Sequence, residues 1–151
     1  MADSAREIEN LLYTYAERID AGDLEGVAAL FEHGRILPTP DSSHETAFEG
    51  KRAVLDMYTA ATRLYDDDGT PKTRHVTTNA IIHVDEASGA ASSRSYYTVL
   101  QKTDVISLQP IICGHYHDTF HRIDGAWWFD TRTIFIDLLG DLSQHLLYEL
   151  K

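Results

Sequence analysis

Only one cysteine, Cys113, occurs among the 151 residues, so no internal disulfide can form. That scarcity suits a reducing compartment. No window approaches the ~20 consecutive apolar residues that a membrane-spanning helix requires. The opening stretch, Met1 to Leu12, carries acids and no continuous apolar run, so it does not read as a secretory leader. A cytoplasmic location is the expectation. Basic residues are also few, 13 Lys and Arg against 24 Asp and Glu, which leaves a formal net charge of −11. A surface this acidic repels phosphate backbones and anionic bilayers, which argues against nucleic-acid and membrane partners. It says little about a small molecule held inside a pocket. Glycine-rich phosphate loops, dinucleotide fingerprints and a Gly-x-Ser-x-Gly elbow are missing, and Cys113 stands in no nucleophile motif.

What is present is an ordinary globular composition, 43% apolar and 25% charged, in a length that fits one domain over 1–151. That length buries a real core without staples. The first half is helix-like. Ile8, Leu11, Leu12, Tyr15 and Ile19 form one apolar stripe between Ser4 and Asp20. Ala21-Gly22 breaks the pattern, and Asp23 is a good N-cap for a short second helix through Phe31. Arg35 to Pro38 reads as a short strand, followed by a polar loop through His44 and Glu45. A third helix is expected from Lys51 to about Tyr65, with Val54, Met57, Tyr58 and Ala61 inward.

From His75 the period changes to two. His75–Val84, Ala91–Lys102, Ile111–Ile123 and Trp127–Asp137 are rich in β-branched and aromatic residues, with turn-like separators between them. Asp124-Gly125 between two such runs is a hairpin signal. Helices followed by hairpin strands predict an α+β fold, with the helices on one face of a mostly antiparallel sheet. The last segment, Leu138–Lys151, reads as either a short helix or an extended tail.

Three positions can carry chemistry: Asp20 at the end of the first helix, His75 at the start of the first long strand, and Tyr15. Tyr15 lies five residues before Asp20, about 140° around the helix, so the two point to adjacent faces. A carboxylate paired with histidine fixes the ring tautomer and stabilises the imidazolium, leaving the other nitrogen as a base near neutral pH. A tyrosine hydroxyl can donate to an oxygen gaining charge. Each residue also has a plain structural role open to it: a helix-end acid, a core histidine, a core tyrosine. His115, His117 and His121 share one strand face, but three ligands along one strand spread over ~20 Å, so no metal is expected. Tyr116, Asp118 and Phe120 take the opposite face. A buried Asp118 needs a partner, and Arg122 and Arg132 are the candidates.

The stretch Tyr15-Ala-Glu-Arg-Ile-Asp20-Ala-Gly-Asp23-Leu with Ala28-Ala-Leu-Phe31 resembles the opening of SnoaL-like proteins. So do Arg74-His75-Val-Thr-Thr-Asn79, the run from Gly114 to Trp127, and the tail from Asp137 to His145. The resemblance implies a cone, a curved sheet wrapped around helices with a deep pocket. It also implies an Asp at the end of the first helix partnering a His at a strand start, positions that Asp20 and His75 match. Tyr15 matches a tyrosine that precedes the Asp by five residues in bile acid 7α-dehydratase. Tyr116, Tyr58, Tyr97 and Arg132 are expected to contact substrate. No cofactor is implied, and pairing of copies into a dimer or trimer through the outer sheet face is.

The departures concern substrate. Scytalone dehydratase has a second pocket histidine on the next strand, where this chain has Arg94-Ser95-Tyr96-Tyr97. Its pocket asparagine falls roughly on Tyr116, and the dehydrochlorinase arginine falls on Ile123. Two functions follow from the resemblance. The first is a cofactor-free lyase or isomerase, dehydratase-like, acting on a hydrophobic cyclic or aromatic metabolite such as a steroid or polyketide. The second is a non-catalytic ligand-binding or structural subunit like the β-chains of ring-hydroxylating dioxygenases.

Overall fold

A computed structural model describes residues 3–40 and 46–149; the loop expected through His44 and Glu45 lies outside the described residues. Helix α1 spans Ser4–Asp20, with Asp3 capping its N-terminus through the Arg6 N–H. Its stripe is buried as the spacing predicts, at Ile8, Leu12, Tyr15 and Ile19. Helix α2 (Leu24–Ala29) is capped by Asp23, whose carboxylate accepts from the Gly26 N–H at 2.8 Å. Leu30 and Phe31 follow the helix and are buried too. Strands β1 (Arg35–Leu37) and β2 (Phe48–Glu49) precede α3, which covers Gly50–Ala61. Val54, Tyr58 and Ala61 are its buried positions.

The second half is four long strands: β3 (Thr73–Asp85), β4 (Ala90–Gln101), β5 (Gln109–Ile123) and β6 (Ala126–Leu139). The sheet order is β2-β1-β6-β5-β4-β3. All pairings are antiparallel except β1 against β6. The fold class is therefore α+β. Alternation, shifted by one residue between Phe129 and Thr131, divides the strands: Tyr116, Asp118, Phe120, Tyr97, Phe129 and Arg132 face the helices and are buried, while Arg94, Tyr96 and His117 face outward. Bulges interrupt the register between Thr78 and Ile81, where Asn79 takes a positive φ, and twice along β5 and β6. Each adds local twist, which bends long strands over the helices. At Gly114 the neighbouring backbone comes too close for a side chain, since a Cβ there would run into the Phe135 carbonyl and the Tyr97 hydroxyl. Among the described residues, no helix is long and apolar enough to cross a membrane.

Two boundaries differ from expectation for one reason. Helix α3 stops at Ala61 rather than Tyr65 because Thr62 turns to extended backbone and bridges to Leu146. Leu147 N–H then donates to the Ala61 carbonyl. The tail is thus neither a helix nor a free extension. Its first residues lengthen β6 to Leu139, and Leu142–Leu146 form a single turn packed against the end of α3. A partner some eighty residues away decides both ends, and no local pattern encodes it.

Candidate active site

Asp20 is an unusual last residue for a helix. A carboxylate at a helix C-terminus faces the negative end of the peptide dipoles and loses energy there. Nor is its side chain needed to end the helix. Gly22, at φ 77°, closes α1 with a Schellman pair, Asp23 N–H to the Arg18 carbonyl and Gly22 N–H to the Ile19 carbonyl, both 2.9 Å. The Asp20 carboxylate instead bonds across to β3. Its Oδ1 accepts from the Thr73 hydroxyl at 2.9 Å and lies 2.6 Å from His75 Nδ1, while Oδ2 accepts the His75 backbone N–H at 2.8 Å. Three donors on one ionised carboxylate offset the unfavourable helix end.

An ionised carboxylate only accepts, so His75 Nδ1 carries the proton and Nε2 presents its lone pair. Among the described residues no group engages that Nε2. The two side chains are 8% and 14% exposed, His75 and Asp20 respectively, so the pair is shielded from competing water. A second imidazole stands beside it. The His145 ring lies 6.2 Å from the His75 ring, tilted by 66°. His145 is buried, and its Nδ1 has no hydrogen-bond partner. Burial first, then the neighbouring His75, depresses its pKa from 6.5 to about 4.

A separate cluster fills the space between α1, α3 and the sheet. Arg132 is fully buried and pairs with buried Asp118 through two bonds, Nε to Oδ1 at 2.8 Å and Nη2 to Oδ2 at 3.0 Å. Arg122, the other candidate, goes to Glu86 on the surface. The guanidinium lies 3.6 Å from the Tyr116 ring centre and 4.2 Å from that of Tyr15. Tyr97 stacks on Tyr116 at 4.5 Å and donates its hydroxyl to the Phe135 carbonyl. The Tyr15 and Tyr58 hydroxyls bond to each other. Burial raises all four phenols above their ordinary pKa, opposed by the Arg132 charge, so each keeps its proton at neutral pH. Burial also raises the Asp118 carboxyl. For Arg132 burial works against the charge, but Asp118 outweighs it and holds the guanidinium above its usual range.

The structure therefore joins Asp20 to His75, and joins Tyr15 to Tyr58, Tyr116 and Arg132, with Tyr97 stacked behind. It does not put Tyr15 in contact with the Asp20–His75 pair. The 140° offset along α1 sends Tyr15 inward to the aromatic cluster while Asp20 turns to the edge strand. His145 escapes sequence reasoning, since a histidine in an irregular tail carries no periodic signal. His115, His117 and His121 do share the outer face, where His115 contacts Asp137 at 2.7 Å and stacks on Phe135. Among the described residues, no group of three or more His, Cys, Asp or Glu side chains is arranged to hold a metal. Cavities of about 380 and 420 Å³ lie on this outer face, around Arg94 and His117 and around Tyr96 and His115. Neither is lined by Asp20 or His75.

Comparison with known proteins places this architecture. The SnoaL-like domain family matches residues 1–133. The chain belongs to the SnoaL-like family. Solved structures share the fold. A protein of unknown function with a cystatin-like fold from Nostoc punctiforme superposes with a TM-score of 0.73 at 24% identity, covering 94% of this chain and 97% of that one. A candidate scytalone dehydratase from Novosphingobium aromaticivorans gives 0.71 at 22% identity, covering 98% and 89%. LinA gives 0.68 at 17%, covering 93% and 90%. At these identities the likeness is one of fold. Among curated proteins, none matches the chain.

Two outcomes follow for this SnoaL-like protein. Asp118→Ala leaves the Arg132 charge buried and unpaired, and should cost about 3–5 kcal/mol in urea unfolding. Replacing both partners, as Asp118→Leu with Arg132→Met, should recover much of that loss. For His145 the folded pKa lies below the unfolded value, so the unfolded chain binds the extra proton between pH 6.5 and about 4. Stability is therefore lost as pH falls through that window, by about 3 kcal/mol at its lower end. Denaturant unfolding at pH 7 and pH 4 should show a smaller acid loss, by about that amount, in His145→Gln than in the natural sequence.

Proposed function

We propose that this SnoaL-like protein is a cofactor-free lyase or isomerase, dehydratase-like in its chemistry, with His75 as the base and Asp20 as the residue that orients it. The observation that carries the reading is the 2.6 Å contact between Asp20 Oδ1 and His75 Nδ1, with Nε2 left unengaged. A shielded imidazole with one nitrogen committed to a carboxylate is suited to taking a proton and to holding the charge that results. His75 Nε2 would accept a proton from carbon next to a carbonyl, and the C–H electron pair would form the enolate. For dehydration, the adjacent C–O bond then breaks and the imidazolium returns its proton to the departing hydroxide as water. For isomerisation, the same proton returns to a different carbon. Either cycle leaves the protein unchanged, so none of its steps calls on an added oxidant or reductant.

The substrate class we propose is a small hydrophobic ring compound, a steroid, polyketide or aromatic metabolite. Neutral tyrosine hydroxyls and an apolar surround favour such a molecule over a charged one. The Tyr15–Tyr58 pair, with Tyr116, Tyr97 and Arg132 behind it, is the proposed donor wall for an oxygen gaining charge. The name of the Novosphingobium neighbour, a scytalone dehydratase, is in keeping with loss of water. A second reading, a non-catalytic ligand-binding or structural subunit, is favoured by one observation. Tyr15, Tyr58, Tyr97, Tyr116 and Arg132 are buried against one another and occupy the interior between helices and sheet. Recovery of the protein in stable complex with a larger oxygenase subunit would favour that reading.

Cyclic β-hydroxyketones from the steroid and polyketide classes, followed by mass spectrometry for water loss and for deuterium uptake beside the carbonyl, form the test. A productive compound should lose 10²–10⁴-fold in rate in His75→Ala, roughly the worth of a general base. Asp20→Asn should also slow turnover, because the amide no longer fixes the tautomer. Turnover by His75→Ala at the unmodified rate would sink the assignment. We also propose that copies pair through the outer sheet face, where Ile81 and Tyr96 are exposed. Sedimentation should show a dimer or trimer, and Tyr96→Glu should shift it toward monomer.

A further inference from the structure

The segment after β6 is fastened at several points around His145. Gly140 N–H donates to the Ile111 carbonyl at 2.8 Å, in a position where a Cβ would crowd that carbonyl. The Gln144 carbonyl accepts from the Tyr65 hydroxyl at 2.6 Å and from Gln101 Nε2 at 3.0 Å. Gln101 is itself buried and anchored to the Pro71 carbonyl. The His145 carbonyl accepts the Arg63 N–H at 2.8 Å, Leu146 bridges to Thr62, and Leu147 N–H donates to the Ala61 carbonyl. Backbone bonds thus hold the residues on both sides of one imidazole, and the imidazole itself is left without a partner for Nδ1.

A buried nitrogen with no partner costs free energy. The surrounding anchors stabilise the segment, yet none of them satisfies the ring. What the ring does face is His75, 6.2 Å away between centres and edge-on. That distance is too long for a direct bond in this orientation. Two hydrogen bonds of about 2.8–3.0 Å to a single oxygen set the two nitrogens about 5 Å apart, a separation open to rings whose centres are 6.2 Å apart.

We infer that His145 is a second histidine of the same site, carried in by the C-terminal segment, and that it holds a hydroxyl or carbonyl oxygen of the substrate between its ring and that of His75. The inference rests on the reading of His75 as base and adds the partner that fixes the substrate. Because burial and the His75 neighbour keep His145 neutral, its ring offers one N–H and one lone pair, and so can meet either kind of oxygen. The substrate class narrows accordingly: the reacting carbon bears an oxygen substituent, or lies next to a carbon that does. A purely hydrocarbon or halogenated ring would leave His145 unsatisfied.

The test uses ¹⁵N-histidine-labelled full-length protein and 2-naphthol, a flat aromatic hydroxyl compound, with naphthalene as the control lacking oxygen. Titration with 2-naphthol should saturate and move the ring nitrogens of both His75 and His145; naphthalene should not move His145. His145→Phe should weaken 2-naphthol binding about tenfold, and His145→Gln, which keeps a donor and an acceptor, should restore most of it. A His145 signal that stays in place while His75 moves would overturn the inference, as would equal affinity in His145→Phe or no saturable binding. The wild-type titration needs no variant to fold. Failure of the His75 assignment reads out separately, as undiminished turnover in His75→Ala.

Discussion

The Asp20 carboxylate ties the helical layer to the sheet. It ends α1 where helix dipoles disfavour a negative charge, and that cost is met only because β3 brings a hydroxyl, a backbone N–H and an imidazole to the same two oxygens. β3 is an edge strand of the sheet, covered on its inner side by α1. The clasp therefore sets how the first helix lies on that strand and where the His75 ring points. Site geometry and helix docking are one arrangement here. A change that loosens either one loosens both.

Arg132 organises the interior on the other side of Tyr15. A guanidinium is tolerated at full burial because Asp118 meets it with two parallel bonds and aromatic faces cover its flat sides. The pair is neutral as a unit, and burial keeps the phenols packed around it protonated. A chain of net charge −11 thus keeps this interior cluster without net charge. Its acidity belongs to the outer surface.

Much of this was legible along the chain. Period-3.6 and period-2 patterns locate α1 and the four long strands, because each element has one face that must be buried. Gly22 and Asp23 mark the break between α1 and α2 through backbone requirements that are local. Tyr116, Asp118 and Phe120 fall inward by alternation alone. Local pattern failed where a distant partner sets the structure. Thr62 leaves the helix to bridge Leu146, and Asp118 takes Arg132 because register sets them directly opposite, while Arg122 lies at the far end of β5 beside Glu86. Tyr15 and Asp20, five residues apart, serve different clusters because the sheet curls past one and the edge strand meets the other.

By itself the sequence determined the α+β class, the inward and outward faces of the strands, and the positions at which a SnoaL-like Asp and His would stand. Those features arise from burial of apolar periodicity and from short motifs, and each is complete within a few residues. Only the tertiary structure decided that His75 Nδ1 meets Asp20 at 2.6 Å, that Tyr15 bonds Tyr58 instead, and that His145 returns from the tail to face His75. The reason is the same in each case. A hydrogen bond is specified by distance and direction between groups far apart in the chain, and only the packed sheet and helices set those two quantities.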